Sequence, residues 1–272
     1  MFTESEFALI AREIKARTGY ALTRDHASTI ETRLMALQRR ENLSSVNELI
    51  AAARADGRLW NAIAEAIAVQ ETRFFRDRTL FQALRTEILP ALMQRRGKPL
   101  QVWSAGCSSG QEPYSLALML DTLRSEGKPG GEIVASDYSE RLLEKARAGL
   151  YTQFEVQRGL PIRTLITHFE KVSDLWRISD RLRALVRFEQ HNLLTDASHL
   201  GPFDLVVCCN VLPGLDPAAR TTVLENIAGA LAPDGVLVTG AEGVIDAAGA
   251  AFSTLGDRVG VYRRNAEWRK AA

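Results

Sequence analysis

The residues best suited to hold a ligand form a turn of small residues at 104–110, between an apolar run at 100–103 and a helical pattern. Gly106 and Gly110 lack a Cβ atom, so a ligand can approach the backbone closely there. A strand, a small-residue turn and a helix in this order open a nucleotide-binding α/β unit. Glycines between a strand and a helix are also ordinary turn residues, so the turn favours a cofactor site without proving one.

An acidic residue ends the next apolar run, which spans 132–137 and predicts a second strand. In nucleotide-binding α/β folds an acid at this place holds a ribose hydroxyl group, and this is the role we expect for Asp137. The alternative is that Asp137 caps a helix that starts near Ser139. The two roles are compatible.

Two phenylalanines and an arginine follow one another at 74–76. This pattern indicates buried rings that hold the guanidinium group of Arg76 nearby. The alternative is a core at a domain junction, with a surface salt bridge between Arg76 and Asp77.

Length and composition limit the classes of protein to which the chain can belong. Its 272 residues can form one large or two modest domains, and 46% apolar and 25% charged residues are ordinary for a globular protein. The net charge of +1 argues against polyanion binding along the whole chain. No apolar run approaches the roughly 18 residues that a membrane span needs. Residues 1–20 lack a signal-peptide core, and we expect a cytoplasmic protein.

The cysteines and histidines do not form a metal-binding pattern. Three cysteines fit a reducing compartment. Cys208 and Cys209 are neighbours in an apolar run, and successive strand residues point to opposite faces of a sheet. The four histidines show no ligand spacing, so we predict no metal site.

Residues 1–85 show helical periodicity and no strand pattern, which predicts an N-terminal helical domain. Ser45 and Glu48 have the spacing of a capping box. Seven basic and three acidic residues between Arg12 and Arg40 give a local charge of +4. This surface is either simply solvated or a docking surface for an acidic partner. It has no interleaved aromatic residues and no recognisable motif, so we predict no nucleic-acid partner.

Residues 86–272 alternate strand and helix patterns, which predicts an α/β domain with a parallel sheet covered on both faces. The run 203–211 predicts a central strand, and the helix after it is expected to end at the turn signal 233–235. Residues 152–184 break the alternation and predict an inserted subdomain of helix and hairpin. Phe252 and the run 259–263 predict a terminal antiparallel pair.

Several segments together resemble one family of enzymes. The run 70–76, QETRFFR, is similar to the N-E-T-x-F-F-R motif of the CheR family. The run 103–115, WSAGCSSGQEPYS, also matches, and its part 106–115 is highly specific to the family. The runs 135–137, 192–194 and 203–211 match in the same order, so the resemblance covers essentially the whole chain. CheR proteins are chemotaxis-receptor glutamate O-methyltransferases that use S-adenosylmethionine.

The resemblance implies a Rossmann-like class I methyltransferase sheet with helices on both faces, an N-terminal all-helical domain and a small inserted β-subdomain. It implies that the following residues contact S-adenosylmethionine: Gln70, Thr72, Arg76, Gly106, Glu112, Asp137, Asn192, Leu193, Cys209 and Asn210. Arg76 also matches the arginine placed near the transferable methyl group, and is the expected catalytic residue.

The resemblance implies a partner as well. The arginines at 33, 39 and 40 would face the acidic helical cytoplasmic region of a chemotaxis receptor, through which alone the chain would meet the membrane. The expected docking residues are Arg33, Arg39 and Arg40. The turn at 169–176 is short, which predicts docking that does not use a receptor's C-terminal pentapeptide. We expect a monomer.

The chain departs from the family pattern at several positions. Gln70 stands where asparagine is usual, Gln111 where glutamate is, and the family's G-H-S-E is one residue shorter at 240–242. Two departures concern side chains of the active site. Cys209 stands where the family has an arginine, and Gly214 where it has the active-site tyrosine. A glutamate carboxylate is already ionised at pH 7, so methyl transfer needs alignment and no general base. Two hypotheses follow. The chain is a receptor-glutamate methyltransferase that releases S-adenosylhomocysteine, or it is a catalytically degenerate regulator that binds the cofactor or docks on the receptor.

Overall fold

The computed structural model describes residues 2–68, 72–243, 245 and 251–269. The chain divides into two units, one formed by Met1–Val69 with Gly214–Thr222 and the other by Gln70–Pro213 with Val223–Ala272. The division falls at 69/70 rather than at the predicted 85, because residues 74–84 contribute side chains to the core of the second unit. Within the described ranges, no helix is both long and apolar enough to cross a membrane.

The first unit is helical, as predicted. Its helices are α1 (Glu4–Thr18), α2 (Ala27–Arg40), α3 (Val46–Ala55) and α4 (Gly57–Ile67), with a 3-10 turn at Arg24–His26. Apolar residues recur at helical spacing and are fully buried between the helices, among them Ile10, Ile14, Ile30, Leu34, Leu49 and Ile63. α1 ends at Gly19, which adopts the left-handed conformation typical of a C-cap.

The predicted capping box at the start of α3 is half confirmed. The hydroxyl oxygen of Ser45 accepts a hydrogen bond from the Glu48 N–H at 3.1 Å. The Glu48 carboxylate accepts instead from the N–H of Ser44, at 2.7 Å, and from the Ser44 hydroxyl. The box therefore closes one residue further from the helix than the simple pattern predicts.

The segment 214–222 belongs to the helical unit through backbone bonds to the end of α1. The Ala21 N–H donates to the Gly214 carbonyl oxygen, and the Asp216 N–H donates to that of Gly19, both at 2.9 Å. A Cβ atom built on Gly214 would overlap Cε2 of Tyr20. The backbone thus comes so close to the Tyr20 ring that only glycine fits at 214 without a shift of the ring.

The second unit is built on a seven-stranded sheet with the strand order β6-β2-β1-β7-β8-β10-β9. The strands among the described residues are β1 (Leu100–Ala105), β2 (Gly131–Asp137), β3 (Leu150–Thr152), β4 (Phe169–Val172), β5 (Leu175–Ile178), β6 (Val186–Gln190), β7 (Phe203–Val207), β8 (Leu231–Val238), β9 (Phe252–Thr254) and β10 (Val261–Arg264). The first five strands in that order are parallel, and β10 pairs antiparallel with β8 and β9. The predicted α/β class and terminal antiparallel pair are confirmed.

Helices precede and connect the strands. They are α5 (Arg78–Ala83), α6 (Leu89–Arg96), α7 (Gln111–Ser125), α8 (Glu140–Ala148), α9 (Gln153–Gln157), α10 (Ile162–His168), α11 (Asp180–Arg183) and α12 (Pro217–Ala230), and the stretch Leu84–Ile88 between α5 and α6 is π-helical. Strands β3, β5 and β4 form a separate antiparallel sheet, which confirms the inserted subdomain.

Two strands differ from their predicted bounds. β7 ends at Val207, four residues before the end of the apolar run, and it is the central strand of the sheet as predicted. β8 already begins at Leu231, so it contains the turn signal at 233–235. The pairing shifts there, from Phe203 opposite Leu231 to Leu205 opposite Val236, and the turn residues are an irregularity within the strand.

Candidate active site

The turn after β1 needs glycine at two places. Gly106 has φ +76° and Gly110 has φ +93°, in the region that side chains disfavour. A Cβ atom on Gly106 would lie 2.5 Å from Cγ2 of Val211, and one on Gly110 would lie 2.9 Å from Cβ of Ala146. The Gly106 N–H donates to the Ser136 carbonyl oxygen at 2.8 Å, which ties the turn to the end of β2.

The carboxylate of Asp137 joins this turn to the next helix. Its Oδ2 accepts from the N–H of Ser108 at 2.8 Å, and its Oδ1 accepts from the N–H of Ser139 at 3.0 Å. The helix itself is capped by the Ser139 hydroxyl oxygen, which accepts from the Leu142 N–H. Burial raises the pKa of Asp137, and the backbone donors oppose that rise. The alternative role of helix cap therefore belongs to Ser139, and the Asp137 carboxylate instead ties the glycine turn to the start of α8. Asp137 is half-buried after β2, and its contact with a ribose stays a prediction.

The loop after β6 lies beside Asp137. The His191 N–H donates to the Asp137 carbonyl oxygen at 3.0 Å. The side-chain oxygen of Asn192 accepts from the Leu194 N–H at 3.1 Å, and the Leu193 carbonyl oxygen accepts from the Asn226 side chain at 2.9 Å. Because β6, β2 and β1 are parallel neighbours, this loop and the glycine turn lie along the same carboxyl edge.

The segment 74–77 is held by its phenylalanines. Phe74 is fully buried, with ring centroids 5.1 Å from Tyr151 and 5.7 Å from Phe169. Phe75 has φ +45°, which is strained for an aromatic residue, and its N–H donates to the Ser115 hydroxyl oxygen at 3.1 Å. Phe74 is therefore buried as the sequence pattern predicts, whereas Phe75 is only half-buried.

A cavity of about 300 Å³ lies at the carboxyl ends of β7 and β8. Its polar side chains include Arg73, Arg76, Arg78, Glu112, Cys209 and Asn210, and Leu80 and Phe81 of α5 form an apolar wall. Asn210 has φ +61°, a strained conformation for a residue other than glycine. Such strain clusters at functional sites, because the surrounding structure must hold it in place.

Glu112 is the titratable group that the cavity perturbs most clearly. Burial raises its pKa from the ordinary 4.5 to about 7, although the Ser104 hydroxyl, the Cys209 thiol and the charge of Arg76 act in the opposite direction. Ser104 donates to its Oε1 at 2.8 Å. Burial and the neighbouring carboxylate raise the pKa of the Cys209 thiol well above its usual range. Near pH 7 the site therefore contains a carboxyl group that a bound cation would ionise.

The predicted site residues fall into two neighbouring groups. Arg76, Glu112, Cys209 and Asn210 line the cavity. Gly106, Asp137, Asn192 and Leu193 lie along the ends of β1, β2 and β6. Thr72 is half-buried two residues before Phe74, and Gln70 lies outside the described residues.

Sequence reasoning missed part of the cavity wall. Gly240 and Ala241 line it directly after β8, and Arg73 and Arg78 stand on either side of Arg76. Gly240 has φ +73° and follows its strand much as Gly106 follows β1, so its position at a strand end was a usable signal. The two arginines carried no such signal.

The residues present fit S-adenosylmethionine. Backbone without Cβ atoms at 106 and 110 leaves room for close approach, and the hydroxyl of Ser108 is buried without a hydrogen-bond partner in the described part of the chain. Glu112 and Asp137 supply two carboxyl groups, the kind of acceptor that a cationic ligand with ribose hydroxyls needs. Among the described residues, no group of His, Cys, Asp or Glu side chains is arranged to hold a metal ion.

The arginines predicted to dock on a partner differ in their surroundings within the helical unit. Arg33 is half-buried, and its Nη1 donates to the carbonyl oxygens of Ile67 at 2.6 Å and Ala68 at 2.9 Å. It therefore stabilises the C-terminal end of α4, and its part in docking stays a prediction. Arg39 and Arg40 are exposed at the end of α2, and Arg40 pairs with Glu41.

Comparison with known proteins covers both units. Residues 5–68 match the all-alpha domain of CheR methyltransferases, and residues 70–261 match the SAM binding domain of CheR methyltransferases. Chemotaxis protein methyltransferase 1 of Pseudomonas aeruginosa is 34% identical over 87% of this chain and 89% of its own length.

Two further relatives agree with this. The chemotaxis protein methyltransferase of Vibrio parahaemolyticus is 33% identical over 88% of this chain and 89% of that protein. That of Listeria monocytogenes is 30% identical over 93% of this chain and 95% of that protein. The chain therefore belongs to the CheR family of S-adenosylmethionine-dependent methyltransferases.

Proposed function

We propose that this protein transfers a methyl group from S-adenosylmethionine to glutamate side chains of methyl-accepting chemotaxis receptors, and so forms glutamate methyl esters in sensory adaptation. The observation that carries the proposal is the cavity in which Arg76 and Glu112 meet, next to the glycine turn of a CheR-family domain. The names of the curated relatives, all chemotaxis protein methyltransferases, support the choice of substrate.

The reaction places modest demands on the side chains. A glutamate carboxylate oxygen forms the new bond to the methyl carbon, and no proton has to be removed, because the carboxylate is ionised at pH 7. When bound, S-adenosylmethionine supplies a methyl group on a sulfonium sulfur, which takes the bonding electrons and leaves as S-adenosylhomocysteine. The guanidinium group of Arg76 can hold the substrate carboxylate with two parallel hydrogen bonds. Glu112 and Asp137 would hold the cofactor, together with the residues at 192–193 and Asn210.

The proposed partner is the acidic helical cytoplasmic region of a receptor. Arg39 and Arg40 are the exposed cations at the end of α2 that would meet it. The chain would act in the cytoplasm as a monomer, and reach the membrane only through the receptor. In the inserted subdomain only Ser173 and Asp174 connect β4 to β5. This short connection supports docking that does not use a C-terminal pentapeptide.

The test is a transfer assay with a control for cofactor binding. The purified chain is incubated with S-adenosylmethionine and a receptor cytoplasmic fragment, and base-labile methyl esters are counted. We expect transfer by the wild type, and loss of transfer without loss of fold in Arg76→Ala. The matched control is Arg141→Ala, which changes an exposed arginine of α8.

Calorimetric titration with S-adenosylhomocysteine separates the outcomes. We expect binding by the wild type, and loss of binding in Asp137→Ala. Unchanged turnover in Arg76→Ala would remove the role given to that residue. Cofactor binding and receptor docking without any transfer would favour the catalytically degenerate regulator instead.

A further inference from the structure

Two arginines flank the proposed catalytic arginine on the wall of the cavity. We propose that Arg73 and Arg78, here called the arginine rim, bind carboxylates next to the target glutamate and so make the protein select glutamates with acidic neighbours. The proposal rests on the proposed function and adds a specificity determinant to it. Both arginines line the same cavity as Arg76 and Glu112.

No carboxylate among the described residues forms an ion pair with the arginine rim. Arg73 and Arg78 are exposed, and neither has a carboxylate partner within the ranges that the structure describes. One nitrogen of Arg73, Nη2, donates to the carbonyl oxygen of Arg76 at 3.1 Å, which ties the side chain to the segment that carries the catalytic residue. An arginine has five N–H donors, so most of those of Arg73 are available to a ligand.

The acidic groups of the cavity do not cancel the charge of the arginine rim. The Asp77 carboxylate accepts from the Leu80 N–H at 3.0 Å and caps α5. Glu112 is half-buried, accepts a hydrogen bond from Ser104, and has a pKa raised to about 7. Among the described residues, three arginines stand against the one carboxylate of Asp77, so the side of the cavity formed by residues 73–78 is cationic.

Charge and geometry together indicate what the arginine rim would bind. If Arg76 holds the target carboxylate, two guanidinium groups remain for two further carboxylates. Arginine forks match carboxylates in planar, bidentate geometry. On a helical substrate, acidic residues three or four positions from the target lie on the same face as the target. An acidic helix would therefore present its neighbouring carboxylates together with the reacting one.

The test uses two forms of one receptor cytoplasmic fragment with a single methylatable glutamate. In the acidic form the neighbours on the same helix face are Glu or Asp, and in the neutral form they are Gln or Asn. Wild type, Arg73→Gln, Arg78→Gln, the double variant and the control Arg141→Gln are compared in kcat/KM. We expect the wild type to prefer the acidic form by roughly tenfold, and each rim substitution to remove roughly threefold of that preference.

Three readouts distinguish specificity from damage. The double variant should treat both fragments alike, and bind S-adenosylhomocysteine with unchanged affinity. The dissociation constant of the acidic fragment for the S-adenosylhomocysteine-loaded chain should weaken in the double variant, and depend less on salt. If the double variant still prefers the acidic form, the specificity role of the arginine rim is wrong, and the proposed methyltransferase function is unaffected. No transfer by the wild type to either form would overturn the proposed function, and the arginine rim with it.

Discussion

Replacement of Glu112 by glutamine should change the pH dependence of stability in a defined direction. Burial raises the pKa of this carboxyl group from 4.5 to about 7, so the folded chain binds the proton more tightly than the unfolded chain. The protonated Glu112 therefore favours the folded state, and this contribution is complete below pH 4.5 and is lost as the pH rises through about 7. Glutamine has the shape of the neutral acid, and its oxygen can still accept from Ser104.

The magnitude follows from the difference between the two pKa values. A difference of about 2.5 pKa units lowers the free energy of unfolding by roughly 3 kcal/mol once Glu112 is ionised in both the folded and the unfolded chain. Contact with the cavity solvent reduces this figure, so it is an upper value. Glu112→Gln should match the wild type in free energy of unfolding near pH ~4, and exceed it by up to about 3 kcal/mol near pH ~8.

The assay is urea unfolding, followed by tryptophan fluorescence, at several pH values between these limits. Glu144→Gln, in an exposed part of α8, controls for the removal of one surface carboxylate. Affinity for S-adenosylhomocysteine adds a second readout. The ammonium group of S-adenosylhomocysteine favours the ionised form of Glu112. The affinity of the wild type should therefore rise with pH, and that of Glu112→Gln should not depend on pH. Stability curves of wild type and variant that run parallel across the whole range would refute the assignment.

Two further predictions concern glycines. Gly106→Ala should lower the free energy of unfolding by at least about 2 kcal/mol more than the control Gly127→Ala does. Both glycines have positive φ, but only at Gly106 would the added methyl group meet a neighbour, Val211. Equal losses in urea unfolding would contradict this prediction. Gly214→Ala should lower the free energy of unfolding by about 1–3 kcal/mol in the wild type and hardly change it in a Tyr20→Ala background, because the Tyr20 ring causes the clash. A double-mutant cycle without coupling would show that the backbone, and not the ring, requires glycine.

Much of the candidate site was predictable because it follows one rule of position. In parallel sheets the chain leaves every strand at the same edge, so residues just after strands meet there. Gly106, Asp137, Asn192 and Asn210 each stand within a few residues of such a strand end. Strong apolar runs made the strands themselves visible in the sequence, and the small residues after β1 marked the turn.

Other features depend on contacts between distant segments, which local patterns do not encode. The return of 214–222 to the helical unit rests on backbone bonds to Gly19 and Ala21. The boundary at 69/70 rests on packing of Phe74 into the core of the α/β unit. Arg33 stabilises the end of α4 only because the fold brings that helix end within reach of the guanidinium group. In each case a residue type allowed several partners, and the fold selected one.

The two departures from the family pattern illustrate the difference. In the sequence alone, Gly214 and Cys209 are both losses of a polar side chain. In the structure, Gly214 is fixed by packing, because the ring of Tyr20 occupies the space where a side chain would begin. Cys209 is linked instead to the chemistry of the cavity, since its thiol donates to Glu112 and carries no charge to hold that group ionised. An arginine at 209 would lower the pKa of Glu112, whereas a tyrosine at 214 would first have to displace another ring. Cys209 therefore changes the electrostatics of the cavity, whereas Gly214 is part of the packing of the helical unit.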